Sequence, residues 1–100
     1  DPSHAGGKWW LVEPMAKAAV AAGADGLMIE VHTNPECALC DGAQSLKPEK
    51  YNGLLQQVKQ IAEVVGKVLK LIRGRSQTDF DYVPESKRTC PPLNQLYLQE

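Results

Sequence analysis

The sequence predicts an α/β fold, present as a piece holding one strand between two helices. Three observations carry that prediction. Gly26-Leu27-Met28-Ile29 is a short apolar run of the kind that a parallel strand covered on both faces takes. Stretches with a helical period flank it on both sides. Glu30 and His32 leave its carboxyl end, which is where α/β folds place their chemistry.

Each element follows from its residues. Residues 1–8, DPSHAGGK, read as a loop, because Pro2 restrains Asp1 to extended geometry and Gly6-Gly7 frees the backbone. Val12, Met15, Ala16, Ala19 and then Ala22 or Gly23 form one narrow helical stripe, suited to close packing on a sheet. Pro14 belongs in a first turn, so the regular helix is expected to start within a few residues of it, and Gly23 ends it. The strand then spans 26–32. Pro48 opens a longer helix in which Tyr51, Leu54, Leu55, Val58, Ile61, Ala62, Val65, Val68, Leu69 and Ile72 keep the period. Lys50, Gln57, Lys59, Gln60, Glu63 and Lys67 take the outer face. Gly74 is the expected C-cap, with Lys70 and Arg73 in the last turn. Beyond Arg75 the pattern dissolves into prolines and scattered charges. Residues 1–74 are therefore expected to be the ordered segment, and 75–100 an irregular tail in which Leu93, Leu96, Tyr97 and Leu98 offer apolar docking points.

Composition narrows the function classes. The 100 residues are 43% apolar and 23% charged with a net charge of -1, which gives no reason to expect nucleic acid or an anionic membrane as partner. No apolar run approaches the roughly 18 residues of a membrane span, and no basic region followed by an apolar one marks a secretory signal. Three cysteines, an odd number, argue against a disulfide scaffold and for a reducing cytosol. A single strand cannot close a sheet. The chain, which begins at Asp1, is thus expected either to oligomerise or to be a piece of a larger α/β protein.

His4, Glu30 and Asp41 stand out chemically. They lie before the first helix, at the strand end and in the following loop, which a βαβ arrangement brings to one rim. Imidazole with two carboxylates suits a borderline divalent metal such as Mn, Fe, Co or Zn.

Three blocks, DPSHAGG, GADGLMIEVH and NPECALCDGAQSL, give the chain a resemblance to 3-deoxy-D-arabino-heptulosonate 7-phosphate (DAHP) synthase over about residues 1–68. The resemblance is to the branch that also resembles 3-deoxy-manno-octulosonate 8-phosphate synthase. It implies the C-terminal part of a (β/α)8 barrel: helix seven, strand eight and helix eight. It implies a metal held by a cysteine upstream of this chain together with His4, Glu30 and Asp41. It also implies an aldol-type condensation of phosphoenolpyruvate with erythrose 4-phosphate in aromatic amino-acid biosynthesis, by a homo-oligomeric enzyme. In that scheme the metal polarises the aldehyde, His4 is ligand and electrostatic partner, and Asp41 or a metal-bound water handles protons. Lys8 and His32 are placed as substrate-side residues.

The chain departs from the family pattern at Cys40 (usually serine), at Thr33 (usually proline) and at Lys8-Trp9-Trp10 (commonly a basic pair). The upstream cysteine and the basic residues that grip the substrate phosphates lie outside it, so the isolated chain is expected to be inactive. Two other readings stay open. One is a non-catalytic fragment or interaction module, the other a small zinc or redox protein built on Cys37 and Cys40.

Overall fold

The computed structural model describes residues 1–72 and 93–99. Its first helix, α1 (Pro2–Gly6), occupies the segment expected to be a loop. Asp1 and Pro2 act there as N-cap and first helical residue, not as extended chain: the Asp1 carboxylate accepts the His4 amide at 3.0 Å.

Helix α2 (Trp9–Ala21) starts five residues before Pro14, which therefore stands in its second turn and not in the expected first. The amide that Pro14 lacks would have bonded the Trp10 carbonyl, and Trp10 is on the exposed side of the helix. Its buried stripe is Val12, Ala16 and Val20, so Val20 takes the place that the sequence pattern assigned to Ala22 or Gly23. Strand β1 (Gly26–Glu30) follows, then short 3-10 turns at Pro35–Cys37 and Gly42–Gln44, and then helix α3 (Pro48–Val64). Tyr51, Leu54, Val58 and Ala62 of α3 close over Val12, Ala16 and Val20 of α2 and over Leu27 and Ile29 of β1. These residues and Leu46 make the core.

The largest departures lie beyond Val64. The long helix expected to reach Gly74 stops there, and Val68–Ile72 is strand β2. Gly66 adopts φ 77°, a left-handed conformation that turns the chain out of the helix and that a side chain would resist. Beyond it, VLKLI satisfies either period, because short apolar runs do not distinguish helix from strand. What decides is a partner. Leu93–Gln99, expected to be irregular, is strand β3, and it pairs antiparallel with both β1 and β2 to give the order β1-β3-β2. Gly26 stands opposite Tyr97, and Val68 opposite Gln99. β1 therefore has a neighbour, antiparallel where a parallel one was expected. Its regular pairing ends at Glu30, with Val31 making only a bridge to Leu46. Gly74 and the remainder of the expected tail lie outside the described residues. Among the described residues no helix is long and apolar enough to cross a membrane.

Lys67, assigned by the helical period to the solvent face, is buried behind Gly66. Its Nζ donates to the carbonyls of Gly23 (2.9 Å) and Ala24 (3.2 Å) and to Asp25 Oδ1 (2.5 Å). One ammonium thus satisfies two carbonyls beyond the end of α2 and ties that turn to the turn after α3. Lys67→Met, which removes the charged donor to both carbonyls, should cost about 1.5–3 kcal/mol. Asp25→Asn, at an exposed position, should cost under about 1 kcal/mol. Urea unfolding of the two variants checks the difference.

Tyr51 supplies a pH test. Burial pushes its phenol above the usual range, and its hydroxyl has no hydrogen-bond partner among the described residues. The folded phenol keeps its proton where the unfolded one begins to lose it. Its contribution is therefore complete below about pH 10 and lost as pH rises through the folded value. Tyr51→Phe should remove that share of the alkaline loss. At neutral pH it should leave stability equal, or higher by up to about 1 kcal/mol. Unfolding midpoints on either side of pH 10 check both.

Candidate metal centre

Glu30 is buried at the end of β1 and is held from several sides. Its backbone amide donates to the Oγ of Ser3, which is fully buried in α1, at 3.0 Å. Its carbonyl accepts the Leu46 amide at 2.9 Å, while the His32 amide donates to the Leu46 carbonyl at 2.9 Å. The strand end is thereby sewn both to α1 and to the returning loop. Within its carboxylate, Oε2 accepts the Gln44 side-chain amide at 2.7 Å, and Oε1 lies 3.5 Å from His4 Nε2.

His4 is aimed by Asp1, whose Oδ2 lies 2.7 Å from Nδ1. This contact orients the ring so that Nε2 faces Glu30. Asp41 completes the group from the loop. Its backbone sits at φ 52°, in a left-handed region that aspartate tolerates better than most residues. The Asp41 carbonyl accepts the Ser45 hydroxyl at 3.0 Å and the Gln44 amide at 3.2 Å, which pins the residue at the start of the 3-10 turn. Gly42 permits this: a Cβ there would collide with the Pro35 carbonyl oxygen.

One ligand atom each from His4, Glu30 and Asp41 lies within 4.8 Å of the others. Donors about 2.1 Å from one tetrahedral ion stand about 3.4 Å from each other, so a closure of up to roughly 1.4 Å would let all three meet a single divalent cation. The donor chemistry fits as well. An imidazole nitrogen and two carboxylates form a donor set that borderline divalent metals take.

The other sequence candidates lie elsewhere. His32 is half-buried, with Nδ1 accepting the Asn34 amide at 2.9 Å. Lys8 places its ammonium 5.3 Å above the Trp10 ring and lines a cleft beside the loop. Cys37 is an exposed free thiol that accepts the Asn34 side-chain amide at 3.2 Å, so it is not joined to Cys40. Among the described residues, neither cysteine belongs to the ligand group. Sequence reasoning did not single out Asp1, Ser3 or Gln44. Asp1 before proline carried a capping signal, whereas Ser3 and Gln44 carried none beyond their places in the DPSH and GAQS blocks.

The profile of the DAHP synthetase I family matches residues 1–67. The chain belongs to that family. It is 50% identical over 66 residues to the phospho-2-dehydro-3-deoxyheptonate aldolase of Thermotoga maritima, an alignment that covers 66% of this chain and 20% of the relative. It is 48% identical over 60 residues to the 2-dehydro-3-deoxyphosphooctonate aldolase of Geotalea uraniireducens, covering 60% and 22%. The like-named protein of Desulfosudis oleivorans is 50% identical over 58 residues, covering 58% and 21%. The chain thus spans about a fifth of the length of the curated relatives it matches. No solved structure matches it.

Gly42→Ala should cost about 1–3 kcal/mol, the range for a forced steric insertion. It should also loosen the loop return, read as faster amide hydrogen exchange at His32 and Leu46.

Proposed function

We propose that this chain is the C-terminal part of a metal-dependent aldol-type synthase of the DAHP synthetase I family, supplying three of the metal ligands. In this reading α2, β1 and α3 stand as helix seven, strand eight and helix eight of a (β/α)8 barrel, whose remainder is the chain's first partner. The observation that carries the reading is the convergence of His4, Glu30 and Asp41 from three separate sequence blocks.

The reaction is the condensation of phosphoenolpyruvate with erythrose 4-phosphate. A bound divalent metal supplies Lewis acidity toward the aldehyde oxygen and a point about which both reactants are oriented. Asp1 holds the His4 ring so that Nε2 faces the centre, and Gln44 fixes the rotamer of Glu30. Asp41 is the exposed carboxylate of the trio and the one able to exchange a proton with substrate or water. Lys8 and His32 are assigned to the substrate side. Because the residues that grip the substrate phosphates lie upstream, the chain by itself is assigned no turnover.

A second reading within the same chemistry has direct support, since relatives named for the octonate product are about as similar as the one named for the heptonate. Removing the three carbons of phosphoenolpyruvate leaves a five-carbon aldehyde in that case and a four-carbon aldehyde in the first. Product analysis with each sugar phosphate separates the two.

In the protein carrying the complete barrel, His4→Ala, Glu30→Ala and Asp41→Ala should each weaken Mn(II) binding at least about tenfold and lower activity in step. Calorimetric titration and metal content by mass spectrometry check this. Wild-type metal content in all three variants would sink the assignment.

A further inference from the structure

Strand β1 has two edges, and the backbone of Glu30 tells them apart. In a strand the amide and carbonyl of one residue point to the same side, and those of the next residue to the other. The Glu30 amide goes to Ser3 Oγ and its carbonyl accepts the Leu46 amide. Gly26, Met28 and Glu30 therefore turn their backbone groups toward the α1 side. Leu27 and Ile29 turn theirs toward β3, where they stand opposite Leu96 and Asn94.

The α1 side is also where the chain arrives, since Asp1 lies just before Ser3. On the proposed reading, on which this inference rests, strand eight of a barrel has strand seven on one edge and the first strand on the other, both parallel to it. A strand leading into Asp1 would run along the α1 edge. The edge that closes the ring is then the one that β3 holds. β3 covers it antiparallel from Gly26 to Glu30, and β2 takes the far edge of β3 from Val68 to Ile72. One edge takes one partner, so β3 and the ring-closing strand exclude each other.

We propose that β3 is an autoinhibitory strand, which seals the ring-closing edge of β1 and has to leave before the barrel closes. His4, Glu30 and Asp41 converge with β3 in place. What the strand withholds is thus ring closure, and with it the alignment of the upstream residues on the trio. In return, the edge of β1 is kept from pairing with other chains.

A reversible lock tests this in the protein carrying the complete barrel. Met28 and Gln95 stand directly opposite each other. Theirs is a pair without mutual hydrogen bonds, whose Cα atoms lie about 4.5 Å apart, within reach of a disulfide. In a Cys37→Ser, Cys40→Ser, Cys90→Ser background, Met28→Cys with Gln95→Cys, oxidised during refolding from urea, holds β3 on β1; reduction frees it. Amide exchange in the barrel's first strand should be at least about tenfold faster in the oxidised form. Activity should fall by a similar factor and return on reduction. Equal exchange in the two forms would overturn the proposal, whatever the activity. Failure of the pair to oxidise in the 100-residue chain would overturn it too, because β3 would not stand beside β1. A difference in exchange with no activity in either form would uphold the strand switch and overturn the enzymatic reading instead.

Discussion

A carboxylate at the end of a buried strand has to be matched from every side it faces, and the site is the sum of those matches at Glu30. The Ser3 hydroxyl takes its amide, Leu46 its carbonyl, Gln44 one carboxylate oxygen, and His4 faces the other. Each match recruits a different stretch of chain. Ser3 and His4 bring α1, Leu46 and Gln44 bring the loop, and the loop brings Asp41. The convergence of His4, Glu30 and Asp41 is therefore a consequence of how the strand end is closed, with the turn at Asp41 and the space left by Gly42 as its narrowest requirements.

The apolar core follows a separate logic. Val12, Ala16 and Val20 meet Leu54, Val58 and Ala62 over one face of β1, an arrangement set by helical period and small residues. Lys67 joins this core to the turns around it, its ammonium donating to the carbonyls of Gly23 and Ala24. Candidate site and core thus share β1 but lie on different parts of it: Leu27 and Ile29 serve packing, while Glu30 gathers the candidate ligand group.

The meeting of the three candidate ligands was legible in the sequence because they carry distinctive chemistry in distinctive blocks. His4, Glu30 and Asp41 followed from residue type, from position relative to one strand, and from the resemblance of the surrounding segments. The parts that escaped depend on partners distant in sequence or on local capping. The register of Val68–Ile72 is decided by pairing with Leu93–Gln99, and LNQLYLQ alternates too poorly to announce a strand. Lys67 looks like a surface lysine until Gly66 reverses the chain beneath it. Asp1 and Pro2 support a loop or a helical first turn equally well, and only the bond to the His4 amide separates the two.

The order β1-β3-β2 places the last described strand between the other two. During synthesis on the ribosome, β1 and β2 emerge early and wait as unpaired edges until the segment through Gln99 has left the exit tunnel. Contacts this remote in sequence form slowly, and open edges are the surfaces through which nascent chains aggregate. A nascent chain of this kind is a natural client for the chaperones that meet polypeptides as they leave the ribosome. Its yield in the cell will depend on how long the edges stay open as much as on the stability of the finished fold.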